Sequence, residues 1–369
     1  MMRDKISFMI GSFAGGGAER VMITLANDLT NHGHSIDLVV VNNAGPLSNL
    51  VSKKVNVVDL KVSSVIFAIF PLIRYMKKTN SKALVSALEH VNLLNLMSNM
   101  LAGGQMTSII TIHSIIDRKE DSNIIKNSVV KILLRFLIKR AHGIVAVSKG
   151  AASHFSNFMN ISESDIKIIN NPVNLEKVLK LSNVKIKNLW LDDPSIEVIV
   201  SVGRLVKHKD YTTLILALRE LRKKRNTRLI ICGEGPQRQD LQGLIFRLNM
   251  CESVMVLGFV DNPYPLMKMS DLFVLSSNSE SFGLVLVEAL SLNCKIISTD
   301  CCCGPGEILE WGKWGKLIKV GDYEELAKCM YSELEKDGFT DVKERASDYN
   351  MNKVVLKYLE YINQKIQSV

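Results

Sequence analysis

Short apolar runs alternate with longer amphipathic stretches along the whole chain. In the first half these runs predict buried β-strands at Lys5–Ile10, Ile36–Val41, Ala83–Leu88, Ser108–Ile112 and Gly143–Ser148. A second series begins at Ile196 and includes Leu229–Cys232, Val254–Leu257, Leu272–Leu275 and Cys294–Thr299. Helical stretches, such as Ala18–Asn31, separate the strands. Strand alternating with helix predicts an α/β protein with parallel, doubly wound sheets, which bind ligands at the carboxyl ends of their strands.

The two series of strands are separated by a turn and a polar connection. The turn is Asn170–Val173, with an Asn-Pro pair, and the connection is the lysine-containing segment Lys177–Pro194. We therefore predict two domains, residues 1–175 and 195–350. A C-terminal helix is predicted within residues 351–369.

Composition agrees with two domains and excludes several classes of protein. A chain of 369 residues, 47% of them hydrophobic, can bury the cores of two domains. There is no repeat and no proline- or serine-rich tract, which argues against a solenoid or a disordered protein. The first residues do not resemble a signal peptide, and the most apolar internal run, Val62–Ile73, is too short to span a bilayer. We therefore expect a cytoplasmic protein.

All seven cysteines lie in the second half of the chain. An odd number of cysteines without a secretion signal predicts reduced thiols in a cytosolic compartment. Three of them are consecutive, Cys301–Cys303, and no histidine lies nearby in the sequence. Three adjacent cysteines cannot complete a tetrahedral site without a fourth ligand, so we predict no metal there.

The net charge of +9 is concentrated in the first half of the chain. Residues 1–170 carry 19 Lys and Arg against 11 Asp and Glu, which is about +8. This excess predicts an anionic partner for the first domain. Nucleic acid fits poorly, because there is no recognisable nucleic-acid module and aromatic residues make up only 6% of the chain. An anionic membrane surface or a diphosphate-bearing lipid fits better.

The most informative stretch of the sequence is Asn278–Glu288. In it Glu280 and Glu288 lie on either side of Gly283, between an apolar strand and an apolar helix. Free backbone N–H groups at such a helix start, together with the helix dipole, form an anion site suited to phosphate. Carboxylates accept hydrogen bonds from the neighbouring hydroxyls of ribose and hexose rings. The pattern predicts a sugar-nucleotide site; the simpler interpretation is a loop glutamate and a solvated helix glutamate.

Two other strand-to-helix turns carry candidate binding residues. Gly15, Gly16 and Gly17 follow the first strand and allow the backbone to approach a phosphate or a sugar closely. They do not form G-x-G-x-x-G, so a nicotinamide-binding fingerprint is absent. In the second series, Arg204 and Lys209 lie five residues apart across a loop, where both cations can reach one diphosphate. Taken alone, the glycines could form only a tight turn and the cations could be only solvated loop residues.

Together these motifs resemble the retaining glycosyltransferases of family four, which have the GT-B architecture of two Rossmann-like domains facing across a cleft. The resemblance rests on E-S-F-G-L-x-x-x-E at residues 280–288, on G-P-G-E-I at residues 304–308 and on G-R-L-x-x-x-K at residues 203–209. It spans nearly the whole chain and is stronger in residues 196–310 than in residues 1–190. Bacterial members of this family build surface polysaccharides such as O-antigen and lipopolysaccharide, and lipid-linked oligosaccharides.

The resemblance implies a role for each candidate residue. Arg204 and Lys209 would stabilise the leaving diphosphate. Glu280 would hold the hydroxyls of the transferred sugar, and Glu288 would hold those of the ribose. His113 would approach the transferred sugar, although a lone histidine is more often structural. The remaining donor-binding residues would be Gly16, Gly17, Gly203, Val260, Ser281, Phe282, Gly283 and Leu284.

The resemblance also implies a reaction and its substrates. In this family the sugar is transferred with retention of anomeric configuration, and the departing phosphate is thought to accept the acceptor's proton, so we assign no protein base. No Asp-x-Asp occurs in the sequence, so we predict that fixed cations and backbone donors replace a metal ion. We expect a UDP-linked hexose or N-acetylhexosamine as donor and a saccharide on polyprenyl diphosphate as acceptor. As in the family, residues 351–369 are expected to cross back onto the first domain.

Two alternatives remain open on the sequence alone. A sugar-nucleotide 2-epimerase of the same architecture would bind the same donor but would need side chains for general acid–base elimination. A non-catalytic nucleotide-sugar binder at the membrane is the second alternative, and the presence of all four charged candidates weighs against it. The run Cys301–Cys303 departs from the family, many members of which have a more polar or proline-containing loop there.

Ile124–Arg140 has the pattern of an amphipathic helix with a basic stripe. Lys131, Arg135 and Lys139 recur every four residues among Val, Ile, Leu and Phe. The helix is either half-buried with a solvated stripe or lies on anionic lipid. We expect peripheral attachment to the inner face of the cell membrane through these three residues, with shallow insertion of apolar residues around Phe67.

Overall fold

The structure is a computed structural model that describes residues 4–14, 16–114, 124–336 and 341–368. Gly15 of the glycine-rich loop lies outside these ranges. The first elements of the chain are β1 (Lys5–Ser12), α1 (Gly17–Asn31), β2 (Ile36–Asn42), β3 (Asn56–Asp59), α2 (Ile69–Lys78), β4 (Ser81–Ala87), α3 (Glu89–Leu101), β5 (Thr107–Ile112), α4 (Ile124–Leu137), β6 (Gly143–Ala146), α5 (Lys149–Met159) and β7 (Ile166–Ile168). No helix among the described residues is long and apolar enough to cross a membrane.

The later elements continue the alternation of strand and helix. They are α6 (Leu175–Ser182), β8 (Glu197–Val202), α7 (Tyr211–Leu221), β9 (Thr227–Cys232), α8 (Arg238–Arg247), β10 (Val254–Gly258), α9 (Tyr264–Met269), β11 (Leu272–Leu275), α10 (Leu284–Ser291), β12 (Ile296–Thr299), α11 (Pro305–Ile308), β13 (Lys316–Ile318), α12 (Tyr323–Glu335), α13 (Lys343–Ala346) and α14 (Met351–Gln367). Short 3₁₀ helices lie at Pro46–Leu50, Val65–Ala68, Ile138–Arg140, Glu163–Asp165, Lys207–Lys209, Glu310–Gly312 and Ser347–Tyr349.

The chain folds into two compact units, each with a parallel sheet. The first unit consists of Met1–Pro172 and Asn352–Val369, and the second of Val173–Met351. The seven strands of the first unit have the order β3-β2-β1-β4-β5-β6-β7, and the six of the second have the order β10-β9-β8-β11-β12-β13. In each sheet the strand order reverses beside the first strand, between β1 and β4 or between β8 and β11. Ligands of such sheets bind at the carboxyl ends of the strands at this reversal. The predicted fold class is confirmed.

The central strands are apolar on both faces because helices cover both sides of each sheet. In the first unit, Met9 of β1 and Leu84 of β4 are fully buried. In the second unit, Ile199, Leu229 and Val274 belong to the apolar core. The central strands could be predicted from the sequence because they are continuous apolar runs of this kind.

The structure corrects two expectations about the less apolar segments. The strands β3, β7 and β13 were not predicted, because each has only three or four residues and lies at an edge of its sheet. The connection predicted at Lys177–Pro194 is wrong over its first residues, which belong to α6. Asn174 caps α6 by accepting a hydrogen bond from the backbone N–H of Lys177 (2.8 Å), and the helix buries Val178.

The last helix, α14, belongs to the first unit although the chain reaches it from the second. The hydroxyl oxygen of Tyr361 accepts a hydrogen bond from the backbone N–H of Ile144 (3.2 Å) at the start of β6. Its ring also packs against Gly143, where an added Cβ would lie 3.0 Å from the tyrosine ring. A buried tyrosine thereby joins the end of the chain to the middle of its first half.

Candidate active site

Lys209 and Glu280 form an ion pair at the carboxyl ends of β8 and β11, where the strand order of the second sheet reverses. Lys209 ends the 3₁₀ helix that follows β8, and Glu280 lies in the loop between β11 and α10. The Lys209 Nζ and Glu280 Oε1 atoms are 2.5 Å apart, and the two side chains are only 15% and 9% exposed. Ser277 Oγ donates a second hydrogen bond to the same Oε1 (2.6 Å). The two residues predicted to bind the donor are therefore brought together.

Backbone groups hold these two loops against each other. The N–H of Asn278 donates to the carbonyl of His208 (2.7 Å), and Ser276 Oγ donates to the carbonyl of Lys209 (3.0 Å). Asp210 follows with a left-handed backbone (φ 46°) and caps α7 by accepting from the N–H of Thr213 (3.2 Å). The position of the Lys209 ammonium is thus fixed by the fold before any ligand binds, as electrostatic preorganisation requires.

The loop after β8 approaches its neighbours through glycines. The phenol of Tyr211 donates a hydrogen bond to the carbonyl of Gly203 (2.9 Å), and burial raises the pKa of Tyr211, so the phenol stays protonated. A Cβ on Gly233 would lie 1.8 Å from that same carbonyl oxygen, so only glycine fits there. Arg204 comes next and is exposed, and its guanidinium forms no ion pair within the described part of the chain. It is available to an anionic ligand.

Gly283 is the N-cap of α10, at the helix start where it was predicted, and its backbone is left-handed (φ 97°). Ser281 and Phe282 before it are buried, and the Phe282 ring packs edge to face on Tyr349, with the ring centres 5.5 Å apart. A Cβ on Gly304 would lie 2.0 Å from the carbonyl oxygen of Phe282, so the segment after β12 packs directly on this loop. The first N–H groups of α10, beginning at Leu284, have no partner within the helix and can bind an anion.

Glu288 is the fifth residue of α10 and is half-buried. Its Oε1 accepts a hydrogen bond from the hydroxyl of Tyr264 (3.0 Å), at the start of α9. Tyr264 was not predicted from the sequence, although an aromatic residue at the start of a helix shortly after β10 could have indicated it. Val260 lies between β10 and α9 and is half-buried, and Gly258 before it has φ 81°.

The first unit carries the other predicted residues at the carboxyl edge of its sheet. Gly16 caps α1, and Gly17 is the first residue of that helix. Glu19 reaches back so far that a Cβ on Gly16 would lie 2.0 Å from its carboxylate oxygen. Ser114, past the end of β5, donates to Glu89 Oε1 (2.5 Å) at the start of α3. Glu89 was not predicted from the sequence, because nothing local links it to residue 114.

His113 lies directly after β5 and is half-buried by surface area, with its Nδ1 atom wholly enclosed. Its Nε2 is 3.0 Å from Thr111 Oγ1, whereas Nδ1 has no hydrogen-bond partner among the described residues. Burial lowers the pKa of His113 to about 4, so the imidazole is neutral at pH 7.

This shift predicts a pH dependence of stability. The unfolded chain protonates His113 near its ordinary pKa and the folded chain only near pH 4, so the unfolded state binds more protons in between. The contribution to the free energy of unfolding is complete above about pH 6.5 and is lost as pH falls toward 4, at a scale of about 2 kcal/mol. Urea unfolding at several pH values should show a shallower pH dependence in His113→Gln than in wild type. Parallel curves would contradict the assignment.

The basic residues of α4 do not form one uniform stripe. Lys131 is half-buried, with Nζ 5.4 Å from the centre of the Phe158 ring, and Arg135 is exposed. Lys139 is also exposed, but it lies in the 3₁₀ helix Ile138–Arg140 that follows α4, so the predicted helix Ile124–Arg140 is shorter in the structure. The buried side of the helix is formed by residues such as Leu134. The exposed side is apolar and consists of Val129, Ile132, Leu133 and Phe136, which are 39–78% exposed.

The cysteine run lies beside the Glu280 loop. Cys301 and Cys303 are buried, Cys302 is exposed, and no disulfide joins any of the three to another described residue. Burial is the main cause that raises the pKa of Cys301 to about 12, and the nearby Glu280 carboxylate contributes to that rise. Across the described ranges, no three His, Cys, Asp or Glu side chains are grouped so as to hold a metal ion.

Comparison with known proteins agrees with this geometry in both halves of the chain. Residues 15–177 match the family described as Glycosyltransferase Family 4, and residues 186–352 match Glycosyl transferases group 1. Between them these two matches cover most of the chain. The chain belongs to the GT-B glycosyltransferases of family four.

Relatives and solved structures extend over nearly the full length of the chain. The N-acetylgalactosamine-N,N'-diacetylbacillosaminyl-diphospho-undecaprenol 4-alpha-N-acetylgalactosaminyltransferase of Campylobacter jejuni is 28% identical, over 97% of this chain and 99% of that protein. A second C. jejuni enzyme, the GalNAc-alpha-(1->4)-GalNAc-alpha-(1->3)-diNAcBac-PP-undecaprenol alpha-1,4-N-acetyl-D-galactosaminyltransferase, is 24% identical over 97% of this chain and 98% of that protein. Anabaena Alr3699/HepE, solved in complex with UDP and glucose, has a TM-score of 0.82 at 19% identity, over 98% of this chain and 100% of that chain.

Proposed function

We propose that this glycosyltransferase moves a hexose or N-acetylhexosamine from a UDP-sugar to a saccharide carried on polyprenyl diphosphate, with retention of configuration and without a metal ion. The product would be a lipid-linked intermediate of a bacterial surface glycan. The observation that carries the proposal is the buried Lys209–Glu280 pair beside Arg204, at the strand ends where a parallel sheet binds ligands. The two C. jejuni relatives, named for diphospho-undecaprenol substrates, support the acceptor class. The UDP bound to the similarly folded Anabaena protein favours UDP.

In the proposed reaction, negative charge develops on the diphosphate as the anomeric bond breaks. The Lys209 ammonium has three protons, so it can donate to a phosphate oxygen while it remains bonded to Glu280. Arg204 adds a second cation with several parallel N–H donors, and the start of α10 adds backbone N–H groups. In this proposal these groups face the position at which negative charge develops, and such electrostatic stabilisation is usually the largest single contribution to catalysis.

The other glutamate is assigned to the ribose. Glu288 accepts from Tyr264, and a carboxylate has further lone pairs that can accept from ribose hydroxyls. Glu280 is assigned to the hydroxyls of the transferred sugar in addition to its bond with Lys209. We assign no protein base, because in the proposed scheme the departing phosphate accepts the proton of the acceptor hydroxyl on the same face of the sugar.

The function is tested by incubation with UDP-N-acetylgalactosamine, UDP-N-acetylglucosamine, UDP-glucose or GDP-mannose. Each donor is supplied alone and then with a polyprenyl-diphosphate-linked saccharide. A transferase consumes donor only when acceptor is present, and NMR of the product should show an α-linkage. Conversion of the donor alone to an epimer would establish the 2-epimerase instead. Donor binding without turnover in either mixture would establish a non-catalytic binder.

Metal independence gives a separate prediction. Because the sequence has no Asp-x-Asp and Arg204 and Lys209 are proposed to bind the diphosphate in place of a metal ion, transfer should persist in excess EDTA. The assay follows release of UDP after the enzyme and substrates have been freed of divalent ions. Complete loss of activity that Mg²⁺ or Mn²⁺ restores would contradict the metal-free mechanism.

The acceptor class also requires access to a membrane surface. In the first unit, α2 and α4 both pack against α3 and so belong to one helical layer. Ile66 and Phe67, just before α2, and Phe70, in its first turn, are 66–81% exposed. The exposed side of α4 is apolar and is bordered by Arg135 and Lys139. Exposed apolar side chains next to basic ones are typical of helices that lie on anionic lipid. This layer is our proposed peripheral contact with the inner face of the cell membrane.

Vesicle binding tests this contact. We expect the protein to sediment with vesicles that contain anionic lipid, to bind neutral vesicles little, and to be released at about 1 M NaCl. Changing Lys131, Arg135 and Lys139 together to glutamine should abolish binding and leave activity on a soluble short acceptor. The matched control changes Lys53, Lys54 and Lys61, exposed lysines near the edge strand β3, to glutamine. If the two triple variants sedimented equally with anionic vesicles, α4 would be a half-buried helix with a solvated basic stripe and not a membrane contact.

A further inference from the structure

Two thiols are in contact in the segment that follows β12. Cys302 is exposed and Cys303 is buried, and Cys303 Sγ donates a hydrogen bond to Cys302 Sγ over 3.6 Å. These two residues are the cysteine pair below, and neither takes part in the proposed transfer reaction. An oxidant can join two sulfur atoms that start this close, because a disulfide bond brings them to about 2 Å.

The disulfide that the cysteine pair can form is strained and therefore readily reversed. The Cα atoms of adjacent residues are about 3.8 Å apart, whereas those of most disulfides are about 4.4–6.8 Å apart. Strained or exposed disulfides are reduced more easily than structural ones. The backbone of the cysteine pair must change shape when such a bond forms, and it returns when a thiol reduces the bond.

The backbone on both sides of the cysteine pair packs against the loop that carries Glu280. After the pair, a Cβ on Gly304 would lie 2.0 Å from the carbonyl oxygen of Phe282. Before the pair, Thr299 Oγ1 donates a hydrogen bond to the carbonyl of Ser277 (2.5 Å), and Ser277 Oγ donates to Glu280. A change of shape at the cysteine pair is therefore transmitted to the Glu280 loop.

The short helix α11 after the cysteine pair is held in place and cannot absorb this change. Arg345 donates hydrogen bonds to the carbonyls of Glu307 (2.7 Å) and Ile308 (2.9 Å) at the end of that helix. On the other side, the N–H of Asp300 donates to the carbonyl of Ile318 in β13 (2.7 Å). The segment is thus fixed at both ends, and the Glu280 loop is the neighbour that must move.

The chemical step is a two-electron oxidation by a peroxide. The exposed Cys302 sulfur attacks one peroxide oxygen and becomes a sulfenic acid, and the other oxygen leaves as water. The Cys303 sulfur then attacks the Cys302 sulfur, and the displaced hydroxide takes the Cys303 proton and leaves as a second water. Two thiols are oxidised to one disulfide, and one peroxide is reduced to two waters.

We propose that the cysteine pair is a modification site at which a peroxide forms a disulfide and displaces the Glu280 loop. Oxidation then lowers the activity of the enzyme, and reduction by a thiol restores it. Formation of the bond does not rest on the proposed function. Its effect on transfer does, because the donor and acceptor of the assay are those of the proposed function.

Mass spectrometry of the full-length protein tests the bond. Trypsin releases residues 296–313 as one peptide, whose only cysteines are residues 301–303. After excess hydrogen peroxide this peptide should lose the mass of two hydrogen atoms, and dithiothreitol should restore it. Cys303→Ser should prevent the loss, whereas Cys301→Ser should not. A loss that persists in Cys303→Ser, or a wild-type peptide that only gains oxygen, overturns the inference.

Hydrogen–deuterium exchange tests the displacement of the loop without any substrate. Backbone amides of residues 277–284 should exchange faster in the oxidised protein and return to their first rate after dithiothreitol. Cys251→Ser removes an exposed cysteine that precedes β10, at the opposite edge of the second sheet, and is the matched control. It should respond to peroxide as wild type does. Unchanged exchange in protein that carries the disulfide overturns the effect on the loop.

The rate of glycosyl transfer is the last measurement. Peroxide should lower the rate by on the order of tenfold or more in wild type and Cys251→Ser, because displaced binding groups position substrates poorly. Cys302→Ser should match wild type before treatment and keep its rate afterwards. Equal inactivation of Cys302→Ser and wild type overturns the proposal. If untreated wild type transfers no sugar, the proposed function fails, and mass and exchange still decide whether the disulfide forms and moves the loop.

Discussion

Replacement of Arg204 by alanine should lower kcat by on the order of a hundredfold or more. The guanidinium is exposed at the end of β8 and forms no ion pair within the described ranges, so its charge is available to the diphosphate. The charge on the diphosphate grows as the sugar leaves, so the interaction is stronger in the transition state than in the ground state, and kcat falls more than KM rises. Steady-state kinetics with the preferred donor measure the effect, with circular dichroism to show that the fold is intact.

The matched control for Arg204 is Lys207→Ala. Lys207 is an exposed cation in the same loop, three residues further on, and it should retain near wild-type kcat. Arg204→Lys should recover part of the loss, because lysine keeps the charge but not the planar set of donors. A kcat for Arg204→Ala close to that of Lys207→Ala would remove Arg204 from the mechanism.

The second large effect is expected when the Lys209–Glu280 ion pair is broken by substitution. Single and double variants of the pair should differ in how far they lose folding stability and how far they lose kcat. Both side chains are nearly buried, so Lys209→Ala or Glu280→Gln leaves a charge or a polar group without its partner, which costs on the order of 3 kcal/mol of folding free energy. The double variant should recover much of this stability, because neither charge remains. Its kcat should stay at least a hundredfold below wild type, because the cation on the diphosphate is still missing.

Urea unfolding and kcat, measured on all four members of this double-mutant cycle, test the prediction. The exposed pair Lys223 and Glu220 provides the control, since breaking a surface pair changes stability by less than about 1 kcal/mol. If the double variant recovered kcat as well as stability, the ion pair would have only a structural role.

The sequence predicted those parts of the molecule that depend on local pattern. Central strands such as β1 and β8 are continuous apolar runs, and the position of Gly283 at the start of α10 follows from the order of apolar strand, polar loop and apolar helix around it. The ion pair between Lys209 and Glu280 was not predicted. Each residue was recognised by its own motif, but a contact between positions 71 residues apart depends on the order of strands in the sheet.

Other parts of the site depend on tertiary contacts with no local signal. Tyr264 and Glu89 acquire their roles from Glu288 and Ser114, which lie on other elements. Asn92 and Asn95 of α3 do not follow the periodicity of an amphipathic helix, because their amides are buried on the helix face that apolar residues usually occupy. For α4 the sequence predicted a basic stripe, whereas the most exposed side chains in the structure are apolar. Which side of this helix is exposed depends on the burial of Leu134 against the rest of the first unit, and the sequence does not show that packing.

The assignment of α14 to the first unit has a consequence for how the protein is made. On the ribosome, residues 1–172 emerge first, but their unit lacks the helix whose Tyr361 bonds to Ile144 until the last residues have been translated. The second unit, Val173–Met351, has its whole sequence available earlier. The half that is synthesised first is therefore completed last. A nascent chain arrested before α14 would carry a finished second unit and a first unit with the surface around Gly143 uncovered.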